Sequence, residues 1–232
     1  MMRLTRPLFI ALALLVLLLP PPSDAQDCSP GKIQELKTQC LSILRDAAGT
    51  ANEGHQLDRQ AFEKSQEAND IALVESIKAG KTLANLIAKC RPISPGCAAA
   101  VAKVPGHVKE LKKAYDLYKE AEALWKQAGF FYGTAGVAFS EQGGDGIADQ
   151  LKACGEDTCF EVAQALRRFA DESKARAQRN QDRANRAAAN VQLWIDALEG
   201  CKDNPETCEA PAPLTDPGFE SPSPEVPDIP QG

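Results

Sequence analysis

The chain has 232 residues, a net charge of −6, 16 prolines, eight cysteines and only two histidines. A chain of this size accommodates one domain. It has no excess of positive charge to attract nucleic acid, and histidine-based catalysis has few residues to draw on.

At the N-terminus, Arg3 and Arg6 precede an apolar run from Leu8 to Leu19, and Ser23-Asp24-Ala25 offers small residues where a signal peptidase cuts. Residues 1–25 therefore read as an export signal cleaved after Ala25. The apolar run is short for a bilayer span, and neither a second run nor a greasy C-terminal tail follows. The expected location is secreted or periplasmic. Cys28, Cys40, Cys90, Cys97, Cys154, Cys159, Cys201 and Cys208 all lie beyond the signal. An even count in an exported chain predicts four disulfides.

Proline placement sets the boundaries, since an interior proline breaks a helix at a cost of about 3 kcal/mol. None lies between Pro30 and Pro92 or between Pro105 and Pro205. Ser29-Pro30 is a helix start, and Ile33, Leu36, Cys40, Ile43 and Ala47 follow at helical spacing. Past Gly49 and Gly54 the stripe resumes with Leu73, Ile77, Gly80, Ala84 and Ile87, predicting one helix over 30–90. After a tight connection over 91–96, Ser94-Pro95 starts a second helix, with a kink or restart at Pro105. Its buried side is read as Val108, Leu111, Tyr115, Tyr118, Leu124 and Trp125. The turn at 142–146 (QGGDG) leads to a short helix over 147–154 and a corner at 155–157.

The third long helix, 158–200, has the clearest rhythm. Ala163, Leu166, Ala170, Ser173, Ala177, Asn180, Ala184, Ala188, Val191, Ile195 and Leu198 recur every 3.5 residues on average, the period of helices packed along one another. Thr158 and Glu161 read as a capping box and Gly200 as the C-cap. Beyond Cys208, prolines, acids and serines dominate. Residues 202–232 hold one Lys against seven acids, so the rest of the chain is nearly neutral. The expected organisation is signal 1–25, disulfide-stabilised bundle 26–208, and a disordered proline-rich acidic tail over 209–232.

Three long helices joined by short turns run up, down and up. The fold class expected is thus all-α: an elongated, coiled-coil-like three-helix bundle with a short extra helix, clamped by disulfides at both poles. Cys28, Cys40, Cys154 and Cys159 gather at one pole, and Cys90, Cys97, Cys201 and Cys208 at the other. Cys28 and Cys40 stand about 15 Å apart on a helix, too far to bond each other. Parallel order favours 28–154 and 40–159. At the second pole, local and crossed pairings remain open.

No catalytic, cofactor-binding or metal-binding residue is expected. His55 and His107 read as ordinary polar helix residues, and CxxC, GxSxG, HExxH and P-loop patterns are absent. QGGDG lacks the remaining ligands of a calcium loop. Two binding features stand out. Arg176, Arg179, Arg183 and Arg186 share one helix face, either as an interhelical ladder to Glu63, Glu67 and Asp70 or as a docking strip for an anionic partner; the neutral body favours the ladder. The Gly129–Phe139 segment, with Phe130, Phe131, Tyr132 and Phe139, is read either as close helix packing or as an apolar tip. These features predict a non-catalytic helical binding or structural protein that presents its faces to a protein partner. The alternative is a membrane-surface or apolar-ligand protein acting through residues 129–139. Oligomeric state is not specified by the sequence.

Overall fold

A computed structural model describes residues 27–90, 94–205 and 208–231. The export signal expected over residues 1–25 and the connection at residues 91–93 lie outside the described residues. Helix α1 spans Pro30–Cys90, α2 Pro95–Val101, α3 Val104–Glu141, α4 Gly144–Ala153 and α5 Thr158–Asp203. No strand occurs among the described residues. The 61 residues of α1 form one unbroken helix, about 90 Å long at 1.5 Å per residue. The restart expected at Pro105 is present: α2 ends at Val101 and α3 begins at Val104 with proline in its first turn.

The three long helices form the expected up-down-up bundle. Lys113–Glu67 at 3.0 Å and Lys64–Glu120 at 3.2 Å set α3 antiparallel to α1, and Lys112–Glu199 at 3.2 Å with Lys119–Asn185 at 3.4 Å sets α5 antiparallel to α3. The central α3 is contacted along its length by both neighbours, whereas α1 and α5 touch each other far less. One long seam therefore stays open between α1 and α5.

Helix α3 fills the interior with its large side chains. Val104, Leu111, Tyr118, Trp125, Tyr132 and Phe139 recur every seven residues and are all buried. Its neighbours answer with small ones. Every residue of the 3.5-residue stripe expected on α5 is buried, and alanine is the commonest residue in it. On α1 the stripe expected over 73–87 is displaced: Ile77 is 64% exposed, while Ala72, Glu75, Ser76, Ala79, Thr82, Leu83 and Leu86 are buried. The buried face of α1 contains so many small and polar residues that hydrophobicity alone misplaces it. Gly54 marks the closest approach of α1 and α3: a Cβ there would lie 3.2 Å from the Ala128 carbonyl and from the Phe131 and Tyr132 side chains.

The helix ends differ in detail from the signals read in the sequence. Asp157 occupies the N-cap of α5 without a side-chain cap bond, and the Thr158 hydroxyl instead donates to Glu156 at 2.8 Å. The helix also runs past Gly200 to Asp203.

All eight cysteines are paired. Cys28–Cys154 and Cys40–Cys159 clamp α1 to the α4–α5 corner, as expected from the parallel order. At the other pole the bonds are local, Cys90–Cys97 and Cys201–Cys208, with Cα separations of 5.0 and 4.7 Å. Four disulfides fit an oxidising compartment. No described helix is long and apolar enough to cross a membrane.

The structure corrects the expectation of a disordered tail. Residues 208–231 carry no helix or strand, yet they lie along the α1–α5 seam as an extended strap. The Trp194 indole donates to the Ala212 carbonyl near the top, and the Arg45 guanidinium donates to the Pro230 carbonyl near the bottom. Between the pairs 212–194 and 222–176, ten strap residues pass eighteen helical ones, or about 27 Å of helix. That pitch is close to the roughly 3.1 Å per residue of polyproline II. Composition signalled disorder because the strap has no core of its own; the bundle supplies one. Its prolines lack N–H groups, so the strap can be covered without stranding many donors.

Each long-range disulfide constrains more than a hundred residues. Replacing Cys40 and Cys159 together by serine should cost about 2–5 kcal/mol of unfolding free energy, measured by urea denaturation, with the helical signal retained before the transition.

Candidate functional site

The seam centres on Asp58, which is fully buried on α1. Its Oδ1 accepts from the Trp125 indole at 2.9 Å, and its Oδ2 accepts from the Ser223 backbone N–H at 2.8 Å and the Tyr132 hydroxyl at 3.5 Å. One carboxylate thus ties α1, α3 and the strap together. Burial pushes the Tyr132 phenol above its ordinary value, and the charge of Asp58 adds to the rise, so the hydroxyl keeps the proton it donates. Eleven residues along, Asn69 accepts from the buried Tyr118 hydroxyl at 3.4 Å.

Opposite Asp58, α5 grips Glu220. Arg179 is bidentate to its carboxylate, with both contacts at 2.8 Å, and Arg183 adds a contact at 3.0 Å. Bidentate pairing of this kind fixes orientation as well as charge. The Arg179 hydrogen bonds, reinforced by the nearby charge of Arg183, hold the Glu220 carboxyl down to about 2. Arg176 donates to the carbonyls of Ser221 and Pro222 at 3.3 and 3.0 Å. Asn180 reads the strap backbone in both directions: its Nδ2 donates to the Glu220 carbonyl and its Oδ1 accepts from the Glu220 N–H, each at 2.9 Å.

A local turn aims the strap's aromatic side chain. The Asp216 carboxylate accepts from the Gly218 N–H at 2.9 Å, and Gly218 adopts φ +66°, a conformation glycine takes without steric cost. Phe219 then stacks on Trp125 at 5.2 Å between centroids and tilts against Tyr118 at 6.1 Å. Leu214, Val226 and Ile229 pack on the two buried clusters above and below.

This arrangement settles where the arginine strip points. The ladder to Glu63, Glu67 and Asp70 is not formed; Glu67 pairs with Lys113 on α3. Arg176, Arg179 and Arg183 face the strap instead, because the open seam lets an acidic segment enter where α1 and α5 stand apart. Arg186 continues the strip, beside a cleft of about 270 Å³ under Leu214–Pro217.

The 129–139 segment lies within α3 and forms no tip. Tyr132 and Phe139 are core residues, Phe131 is half-buried, and Phe130 and Val137 are 70% and 49% exposed. The two exposed side chains flank a second cleft of about 460 Å³, lined also by Gly129, Gly133 and Lys174.

His107 differs from the ordinary polar residue expected. Its Nδ1 contacts the Glu75 carboxylate, and its Nε2 lies 2.8 Å from the Thr82 hydroxyl. Burial works to raise the Glu75 carboxyl, but hydrogen bonds from His107 and Lys78 outweigh it and hold the group below its ordinary value. The order carboxylate, imidazole, hydroxyl resembles a hydrolytic triad. Thr82 is buried on a helix beside a cavity of about 60 Å³, and the three side chains join α1 to α3. No set of three or more His, Cys, Asp or Glu side chains among the described residues is placed to hold a metal ion.

Sequence reading missed Asp58, Asn69, Glu75, His107, Phe219 and Glu220. A signal was available on α1: Ala47, Ala51, Gly54, Asp58, Ala61, Ser65, Ala68 and Ala72 alternate steps of four and three. That is the same 3.5-residue rhythm as α5, visible once small residues count as buried.

No family model, curated protein or solved structure matches this chain.

Two outcomes follow from this geometry. Asp58→Ala strands two buried N–H donors, each worth about 1–3 kcal/mol when left unpaired. A loss of about 2–6 kcal/mol should appear in urea denaturation, with weakened amide protection at Ser223. The depressed Glu220 carboxyl makes strap docking pH-dependent. Its contribution is fully present above the ordinary carboxylate value near 4.5 and is lost as pH falls through the docked value near 2. Protection of the strap amides, taken relative to the unfolded chain at each pH, should therefore fall across that window in the native chain, and Glu220→Gln should flatten this component of the response.

Proposed function

We propose that this protein is an exported, non-catalytic helical binding protein whose α1–α5 seam receives an extended segment of a protein partner. The observation that carries the reading is the mode of strap capture. Asn180 grips the Glu220 backbone from both sides while arginines grip its carboxylate. The backbone contacts are independent of side-chain identity, and the arginine contacts select an acid; together they suit recognition of a polypeptide. The apolar run at the N-terminus and the four disulfides support action outside the cytoplasm.

A photo-crosslinking residue at Leu73 or Asn190, both beside the seam, should capture a partner in the native exported fraction. The same residue at Phe130 should not. Capture at Phe130 alone would move the interface to the outer face of α3 and α5.

A second reading has its own observation. Phe130 and Val137 stand exposed over the cleft at Gly129 and Gly133, which suits an apolar ligand or membrane surface. Co-sedimentation with anionic liposomes, abolished by Phe130→Glu with Val137→Glu, would favour it. The expected result is that the chain stays in the supernatant.

A further inference from the structure

We infer that the seam is a binding site for an acidic, aromatic-bearing peptide supplied in trans, and that the chain's own strap is a displaceable occupant of that site. This rests on the protein-binding reading above and adds the ligand chemistry and its regulation.

The strap defines the core of the recognised pattern. An aromatic ring enters against Trp125 and Tyr118, and the next residue presents a carboxylate to Arg179 and Arg183. Three residues further on, a backbone N–H reaches Asp58. A proline at that last position would have no N–H to donate.

The strap does not use everything the site offers. The Arg176 Nε is buried without a hydrogen-bond partner, 3.9 Å from Glu220 Oε2. Above it, the cleft of about 270 Å³ is bordered by Arg186, Asn190 and Asn69. Asp216, the strap's acid at this level, turns back to cap Gly218. Arg186 makes no hydrogen bond or ion pair among the described residues. A ligand with a longer acid here, one residue before the position of Asp216, would reach Arg186 and match the charge the strap leaves unmatched. The inferred ligand is thus an extended acidic segment reading acid, three residues, aromatic, Glu, then a small residue with a free N–H three positions after the Glu. Tethering gives the strap an effective concentration on the order of millimolar, so a trans ligand gains access when the strap's own contacts are weakened or the ligand's exceed them.

The test uses the full-length chain with Phe219→Ala and Glu220→Gln, which loosens the strap but leaves the groove intact. Two fluorescent peptides are titrated by polarisation: the strap sequence 211–231, and the same peptide with Thr215→Glu. The loosened chain should bind both, the Glu-bearing peptide about fivefold tighter, the ratio expected for one added ion pair near 1 kcal/mol. Adding Arg186→Gln should erase that ratio, and adding Arg179→Gln should weaken both peptides. The unmodified chain should bind at least tenfold more weakly than the loosened one. If the loosened chain keeps its helical circular dichroism and binds neither peptide, the inference is overturned.

Should the loosened chain fail to fold, hydrogen exchange on the unmodified chain decides. Excess Glu-bearing peptide must accelerate strap exchange, and no change overturns the inference. A dimer that exchanges straps, seen by sedimentation velocity, would assign the site to a second copy and likewise overturn it. Peptide binding with no partner captured from the seam would sink the broader reading instead, so the two failures remain separate.

Discussion

A carboxylate at the centre of a helical bundle is tolerable only when donors surround it, and Asp58, on α1, draws its donors from two other parts of the chain, α3 and the strap. The requirement is costly to evade, since an unpaired buried charge destabilises far more than an unpaired amide. It fixes the rotation of α1, because Asp58 must face Trp125 and Tyr132. It also holds the strap in register, because Ser223 must bring its N–H to Oδ2. The arginine clamp, the aromatic stack and the proline-rich path are arranged around that one fixed point.

The remainder of the interior obeys a size rule. Bulky side chains sit every seven residues on α3, and alanine, glycine and serine face them from α1 and α5. Small residues let the flanking helices approach α3 closely and leave room for the large rings. With both flanking helices drawn toward α3, they are not drawn toward each other. The seam is the consequence, and the strap's Leu214, Phe219, Val226 and Ile229 cover apolar surface that would otherwise face water.

The strap also changes what the charges mean. Nearly all the chain's net negative charge lies beyond residue 201, and the arginine strip lies on α5. As separate features they suggest an acidic tail and a basic docking face. In the folded chain they meet at Glu220, and the strip's attraction is largely met from within. Arg186 alone extends the positive strip past the point where the strap answers it.

Sequence alone determined what depends on local chemistry and period. The length of α1 followed from proline spacing, the buried stripe of α5 from its 3.5-residue rhythm, and the 28–154 and 40–159 pairings from the order of parallel helices. Even Asp58 stands in phase with the alanines around it, but phase says nothing about which donors will arrive. Tertiary structure decided the rest. The local bonds 90–97 and 201–208 depend on how tightly each chain end turns. The Glu75–His107–Thr82 group joins residues 25 and 32 positions apart, and the strap's order comes from a groove no part of its sequence encodes. A segment that cannot bury itself is ordered only when other elements leave it a place, and that place exists only after three helices have packed.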